Sequence, residues 1–288
     1  MAEFLVVQTL NGLVYSMLLF VLALGLSLTF GLLRVVNLAH GSFFLFGAYA
    51  GVMIWKATGS FWLAAALGPL AVGLLGVALE HLWLRRFYRR SDLDQVILTF
   101  GFALVFADGA KMIWGKDILS LPAPAALAGA VPVLGAAFPA YRLLIIGAGV
   151  ALFVLIWLVI ERTQAGALIR ASVSDRDMVG GLGFNISLLF TGVFAFGALL
   201  AGLAGVIGAP ITSVYPGLDF DILITTLIVV VVGGLGSIAG AFWASLLIGI
   251  SETFGKVALP EFASFLIFAL MAAVLLLRSW GRLEEDMD

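Results

Sequence analysis

Eight apolar runs, most of them long enough to cross a bilayer, succeed one another along this chain. They are Leu10–Leu33, Val35–Trp55, Phe61–Leu82, Val96–Trp114, Leu143–Ile160, Ile186–Ile207, Ile222–Ile250 and Phe262–Leu277. A membrane-spanning helix needs about 20 such residues. A soluble helical core would need polar faces on these helices, and the runs offer none. Composition agrees: 63% of residues are hydrophobic, 11% are charged and the mean hydropathy is +1.18. Soluble domains have roughly 45–50% apolar and about 25% charged residues. The chain reads as an all-α, polytopic integral-membrane bundle of about 8–10 transmembrane segments. No polar stretch is long enough to bury a second core, so residues 1–288 read as a single transmembrane domain.

Other classes fall away quickly. A net charge of −2 with no basic patch gives nucleic acid nothing to bind. Without cysteine there are no disulfides, thiolate metal sites or cysteine nucleophile. The start, MAEFLVVQTLNG, lacks the basic residues of a cleavable signal, so the first span is expected to stay. No phosphate loop of the form GxxxxGK[ST] occurs, since Gly115-Lys116 and Gly255-Lys256 have neither the spacing nor the following hydroxyl residue. There is no HExxH and no GxSxG, and His40 and His81 are too few and too far apart for a metal site. The expectation is a non-enzyme without cofactor or metal.

Orientation follows from the basic residues. If the spans alternate, Arg34, Arg85, Arg86, Arg89, Arg90, Arg162, Arg170, Arg176, Arg278 and Arg282 fall on one side. Lys56, Lys111, Lys116, Arg142 and Lys256 fall on the other. The arginine-rich side is then cytoplasmic, and the Pro/Ala/Gly-rich loop Leu121–Ala140 lies outside. Ile222–Ile250 is too long for one ordinary span and is interrupted by Gly233-Gly234-Leu235-Gly236-Ser237. Reading it as two spans gives about nine crossings with the N-terminus outside. Small residues recur at four-residue spacing (Gly47/Gly51; Gly197/Ala201/Gly205/Ala209; Gly236/Gly240/Ala244), the pattern that lets helices approach closely in lipid.

The polar segments carry the functional signals. Residues 161–185, ERTQAGALIRASVSDRDMVGGLGFN, form a charged cytoplasmic loop with its own helix signals, as a docking surface would. Ser174 is expected to cap a short helix, with Asp177 three residues on. That would put Met178, Val179 and Leu182 on one side and Arg176 and Asp177 on its flank. Near membrane depth, Asn37-Leu38-Ala39-His40-Gly41, followed by Phe43 and Phe44, and the Gly233, Gly234, Gly236, Ser237 segment read as helix breaks able to face a substrate path. Capping for Asn37 and one hydrogen bond to a neighbouring helix for His40 are the structural alternatives. Asp108/Lys111 and Glu252/Lys256 are spaced to pair with each other near span ends. The spans therefore show no clear midplane carboxylate of the kind an ion-driven carrier uses.

These segments together carry a resemblance. The sequences GLSLTFGLLRVVNLAHGSFFLFGAYAG, RTQAGALIRASVSDRDMVGGLGFN, FAFGALLAGLAGVIGAP and VVVVGGLGSIAGAF resemble the LivH-type permeases of bacterial branched-chain amino-acid ABC importers, from about Gly25 to Arg282. Gly180-Gly181 stand where alanines are expected. The resemblance implies a multi-pass subunit of the bacterial inner membrane that carries branched-chain or related amino acids. It implies four kinds of contact: a LivM-like second permease, two cytoplasmic ATP-binding subunits, an extracytoplasmic substrate-binding protein and lipid. It also implies ATPase coupling through Arg170, Ser174, Asp175, Arg176, Asp177, Met178, Val179, Leu182 and Gly183. Sugar permeases of the wider superfamily share the architecture, so substrate rests on family alone.

Overall fold

The structure, a computed structural model, describes residues 1–88 and 90–285, with the side chains of 264 and 278–285 excepted. Arg89, Arg278 and Arg282, used in the charge count, lie outside the described side chains. The helices are α1 (Ala2–Leu33), α2 (His40–Thr58), α3 (Phe61–Leu82), α4 (Asp92–Trp114), α5 (Ala140–Arg162), α6 (Gln164–Ser174), α7 (Arg176–Gly181), α8 (Ile186–Gly208), α9 (Leu218–Gly233), α10 (Ile238–Ala258) and α11 (Ala263–Glu285). Six are long and apolar enough to span a membrane: α1, α3, α4, α5, α8 and α10. Helix α11 adds the apolar stretch Phe265–Leu277. Helices α2 and α9, of 19 and 16 residues, are shorter apolar pieces.

Helix α1 is the axis of the bundle. At 32 residues it runs about 48 Å at 1.5 Å per residue, longer than the roughly 30 Å hydrocarbon layer. Leu19, Phe20, Leu22, Ala23 and Leu24 are fully buried. Helices α5, α8, α9 and α10 pack around it, and α2 and α3 pack on α8. Burying apolar side chains gains nothing over hydrocarbon, so the closeness must come from backbone contact. The glycine pattern supplies it. A Cβ on Gly197 would stand 2.8 Å from the Gly25 carbonyl oxygen, and one on Gly47 would stand 2.3 Å from the Gly202 carbonyl oxygen.

The run 222–250 is two antiparallel helices, α9 and α10, joined by a four-residue turn. Gly234 and Gly236, at φ 93° and 83°, take the left-handed backbone this turn needs, and Ser237 caps α10 by accepting from Gly240 N at 2.9 Å. The outer loop is more ordered than its composition implied. Strands β1 (Ala130–Val133) and β2 (Ala136–Pro139) pair antiparallel around Leu134-Gly135, and Phe138 buries its ring at 1% exposure. Leu119 of the same loop pairs with Val214, the link between α8 and α9.

Candidate functional site: a helical cytoplasmic loop and a re-entrant helix start

The 161–185 loop is built from three caps. Thr163 accepts from Gly166 N at 3.3 Å and opens α6. Asp175 accepts from Met178 N at 2.9 Å and opens α7. Asn185 accepts from Leu188 N at 3.0 Å and opens α8. The expected cap, Ser174, instead ends α6, with its hydroxyl donating back to Arg170 O at 3.4 Å. Aspartate, an equally good cap, takes the role one residue on. Gly183, at φ 89°, breaks the chain between α7 and α8, and the Arg170 guanidinium bonds the Ile160 carbonyl beside Glu161.

Helix α7 is turned differently from the expectation. Arg176 and Val179, three residues apart and therefore on one face, both point inward. Val179 is 1% exposed, and Arg176 donates from Nη2 to Leu32 O at 2.8 Å with its guanidinium 4.9 Å from the Phe190 ring centre. Leu32 is in the last turn of α1, whose carbonyls have no helical partner, so Arg176 caps the central helix. Burial, and then the like charge of Arg34, lowers the Arg176 pKa, while Tyr88 acts the other way. Asp177 is exposed, and Met178 and Leu182 are 56% and 68% exposed. The outward face is thus Met178, Leu182 and the following Phe184, without Val179 or Arg176.

Beneath the loop lies a connection the sequence did not expose. Glu80, at the C-terminal end of α3, is fully buried and accepts from Tyr88 Oη at 2.9 Å and Thr191 Oγ1 at 2.7 Å. The Tyr88 ring meets Phe190 edge-on at 5.4 Å, and the same Phe190 ring contacts Arg176. Burial and the neighbouring Glu80 charge raise the Tyr88 pKa, so the phenol keeps its proton and donates. Loop, connector and two helices are thereby joined.

The second region is the start of α2. His40 Nε2 lies 3.0 Å from the carbonyl oxygen of Leu22. Leu22 precedes the end of α1 by eleven residues, about 16 Å along the axis. Residues 34–39 therefore run back from the C-terminal end of α1 into the bundle, and α2 begins deep within it. Non-helical backbone is tolerated there only inside protein, and its polar groups are held. Asn37 Oδ1 accepts from Ala39 N at 3.0 Å, and Thr99 Oγ1 accepts from Leu38 N at 3.2 Å while donating to Val36 O at 3.1 Å. Asn37 and His40 are 1% exposed and Phe44 3%. Gly41 meets the start of α9 so closely that a Cβ would stand 2.1 Å from Asp219 O.

Asp219 is the site residue missed in the sequence. It is 1% exposed, and its Oδ2 accepts from Ser42 Oγ at 3.2 Å. Read as a span edge in YPGLDFDIL, it carried no signal of burial. Only the start of α9 against α2 reveals it. Glu80 of α3, Asp219 of α9 and Glu252 of α10 are buried carboxylates. Of the two expected ion pairs, Lys111–Asp108 is formed at 2.9 Å and Lys256–Glu252 at 2.5 Å. Beyond Ser42, an aromatic wall joins α2 to α4. Phe46 contacts Phe106 at 5.1 Å and Trp114 at 5.7 Å, and Tyr49 stacks on Trp114 at 4.6 Å.

The glycine turn lies elsewhere. A Cβ on Gly236 would stand 2.9 Å from Gly31 Cα, two residues before α1 ends. It is thus about 13 Å along α1 from the level of Leu22, beside the C-terminal end of α1. The two segments lie at different levels along α1. Gly233 is buried against α10, and Gly236 and Ser237 are exposed. A hairpin at the aqueous surface needs no broken helix inside the membrane. Among the described residues no cluster of three His, Asp or Glu side chains could hold a metal ion.

Fold and loop define a multi-pass membrane protein with an organised helical face on its arginine-rich side. A family model for the branched-chain amino acid transport system permease component matches residues 8–275, so the chain belongs to that family. It is 27% identical over 290 residues to the high-affinity branched-chain amino acid transport system permease protein BraD of Pseudomonas aeruginosa, covering 95% of this chain and 94% of that one. It is 25% identical to LivH of Escherichia coli strain K12, with the same coverage. With the probable LivH of Methanocaldococcus jannaschii it shares 26% over 250 residues, covering 84% of this chain and 78% of the relative.

Proposed function

We propose that this chain is the membrane-spanning subunit of an ATP-driven importer for branched-chain or chemically related amino acids. In this reading it catalyses no reaction. It works with a LivM-like second permease, two cytoplasmic ATP-binding subunits and an extracytoplasmic substrate-binding protein, and residues 161–185 are the docking loop of its single domain. The observation that carries the reading is the two-faced α7. Its outer side offers Met178 and Leu182 to water, which calls for a protein partner. Its inner side is tied through Arg176 to α1. Arg170, Asp175 and Gly183 set the shape of that face, and Asp177 lies beside it.

The path for a zwitterion with an apolar side chain runs, in this proposal, past Asn37, His40, Gly41 and Phe44 at the start of α2. The Gly233, Gly234, Gly236 and Ser237 turn flanks its cytoplasmic mouth. The test is uptake of radiolabelled leucine into vesicles carrying the whole assembly. Uptake should require ATP and survive collapse of the proton gradient, and the purified chain alone should hydrolyse no ATP. Uptake by this chain alone on a proton or sodium gradient would overturn the proposal.

A further inference from the structure

Between α5 and α8 runs an apolar groove of about 690 Å³, floored by Leu28 of α1 and walled by Ile156, Ile160, Leu168, Gly192 and Phe196. It opens sideways from the bundle. Along α8 it extends from Asn185 to Phe196, about 16 Å at 1.5 Å per residue. That matches one leaflet of a roughly 30 Å hydrocarbon layer. It starts at the arginine-rich end, so the leaflet is the cytoplasmic one.

The rim has a definite charge. Arg162 follows Leu155 by seven residues and Val159 by three, so it stands at the Leu155 edge of the groove, just beyond the apolar lining. It is exposed and has no ion pair among the described residues. The Arg170 guanidinium sits on the carbonyl of Ile160, a lining residue, with Glu161 at 3.7 Å as its one carboxylate. The N-terminus of α8, at Asn185 and Ile186, forms the third side of the rim and adds its positive end. An apolar slot of leaflet depth beneath two arginines and a helix N-terminus suits an acyl chain below a phosphate.

We propose that this groove holds an inner-leaflet phospholipid with an anionic headgroup as a resident ligand, its acyl chain along α8 and its phosphate at Arg162. Gly192 allows a direct test, because nothing lies within 4 Å of a Cβ placed there and a large side chain enters the slot without displacing backbone. The assembly, purified in mild detergent from membranes containing phosphatidylglycerol and phosphatidylethanolamine, is analysed for retained phospholipid by mass spectrometry. Phosphatidylglycerol should be enriched over its share of the membrane, lost in Gly192→Trp and no longer enriched in Arg162→Glu. Gly101→Trp, on another open helix face, should retain it. Retention unchanged in Gly192→Trp, or no headgroup preference in the unsubstituted chain, overturns the proposal. So does a Gly192→Cys variant carrying a photoreactive maleimide that crosslinks in membranes to the second permease rather than to lipid, since the groove is then a subunit contact.

Discussion

Arg176, the first residue of α7, hydrogen-bonds the carbonyl oxygen of Leu32 in the last turn of α1 at 2.8 Å. Ten residues back along α1, the Leu22 carbonyl meets His40 at the start of α2. A cytoplasmic helix that is pushed or pulled therefore acts on the central helix, and the central helix holds the re-entrant segment. Both contacts are made to backbone carbonyls, so they track helix position and not the identity of neighbouring side chains.

The two faces of α7 should separate by mutation. Met178→Asp puts a charge on the exposed apolar face and should abolish copurification of the ATP-binding subunits. Arg176→Ala leaves that face intact but removes a charged hydrogen bond worth about 1.5–3 kcal/mol and a cation–π contact worth about 0.5–2 kcal/mol. The ATPases should still bind and hydrolyse ATP, while leucine uptake falls about tenfold or more, the factor that about 1.4 kcal/mol brings. Loss of ATPase binding in Arg176→Ala would show that Arg176 belongs to the outer face.

Backbone approach should limit the bundle's tolerance of side chains. At Gly205 a Cβ would lie 2.0 Å from the Phe44 carbonyl oxygen and 2.8 Å from Ala48 N, both rigid helix backbone. Gly205→Val should leave little folded protein in the membrane, measured as detergent-stable monodisperse material. Gly101→Ala, with nothing within 4 Å, should change stability by no more than about 0.5 kcal/mol.

Glu80 should behave as a buried acceptor. Glu80→Ala leaves Tyr88 and Thr191 without their shared partner, a cost of about 1–3 kcal/mol for each buried polar group left unpaired. Tyr88→Phe removes one hydrogen bond and keeps the ring against Phe190, so it should cost about 0.5–1.5 kcal/mol. Thermal unfolding in detergent should therefore rank wild type above Tyr88→Phe above Glu80→Ala. An inverted order would show that Glu80 is tolerated and not used.

Hydropathy and four-residue glycine spacing made the bundle legible, because both are local patterns imposed directly by lipid and by close helix contact. The cytoplasmic loop was legible as helical, yet its orientation was not. Ser174 and Asp175 are both good caps, and a shift of one residue turns the helix by about 100°. That shift turns Val179 and Arg176 inward and leaves Met178 outward. Asp219 and Glu80 were hidden for another reason: a carboxylate at the edge of an apolar run has the same sequence appearance whether it meets headgroups or a neighbouring helix. The glycines at 233–236 were ambiguous between a hairpin and a broken span, and their depth is set by Gly31, two hundred residues away.

The start of α2 and the turn before α10 should differ in access. Leu235, at the tip of that turn, is 54% exposed on the cytoplasmic side, and unlike Ser237 it caps nothing. Leu235→Cys should react with a small water-soluble thiol reagent from that side in every nucleotide state. His40 is 1% exposed, sealed by Leu22, by Phe43 at 6.3 Å and by the packing of Gly41 on Asp219. His40→Cys should be unreactive while α2 and α9 stay together and should become reactive only in the nucleotide state that parts them. Because the chain has no cysteine of its own, any label reports the introduced residue. His40→Ala should slow leucine uptake without changing which amino acid is preferred, since one hydrogen bond to Leu22 holds the segment's position and offers no side-chain selectivity. If position 40 stays unreactive in every state while the assembly still transports, the start of α2 is packing and the substrate path runs elsewhere.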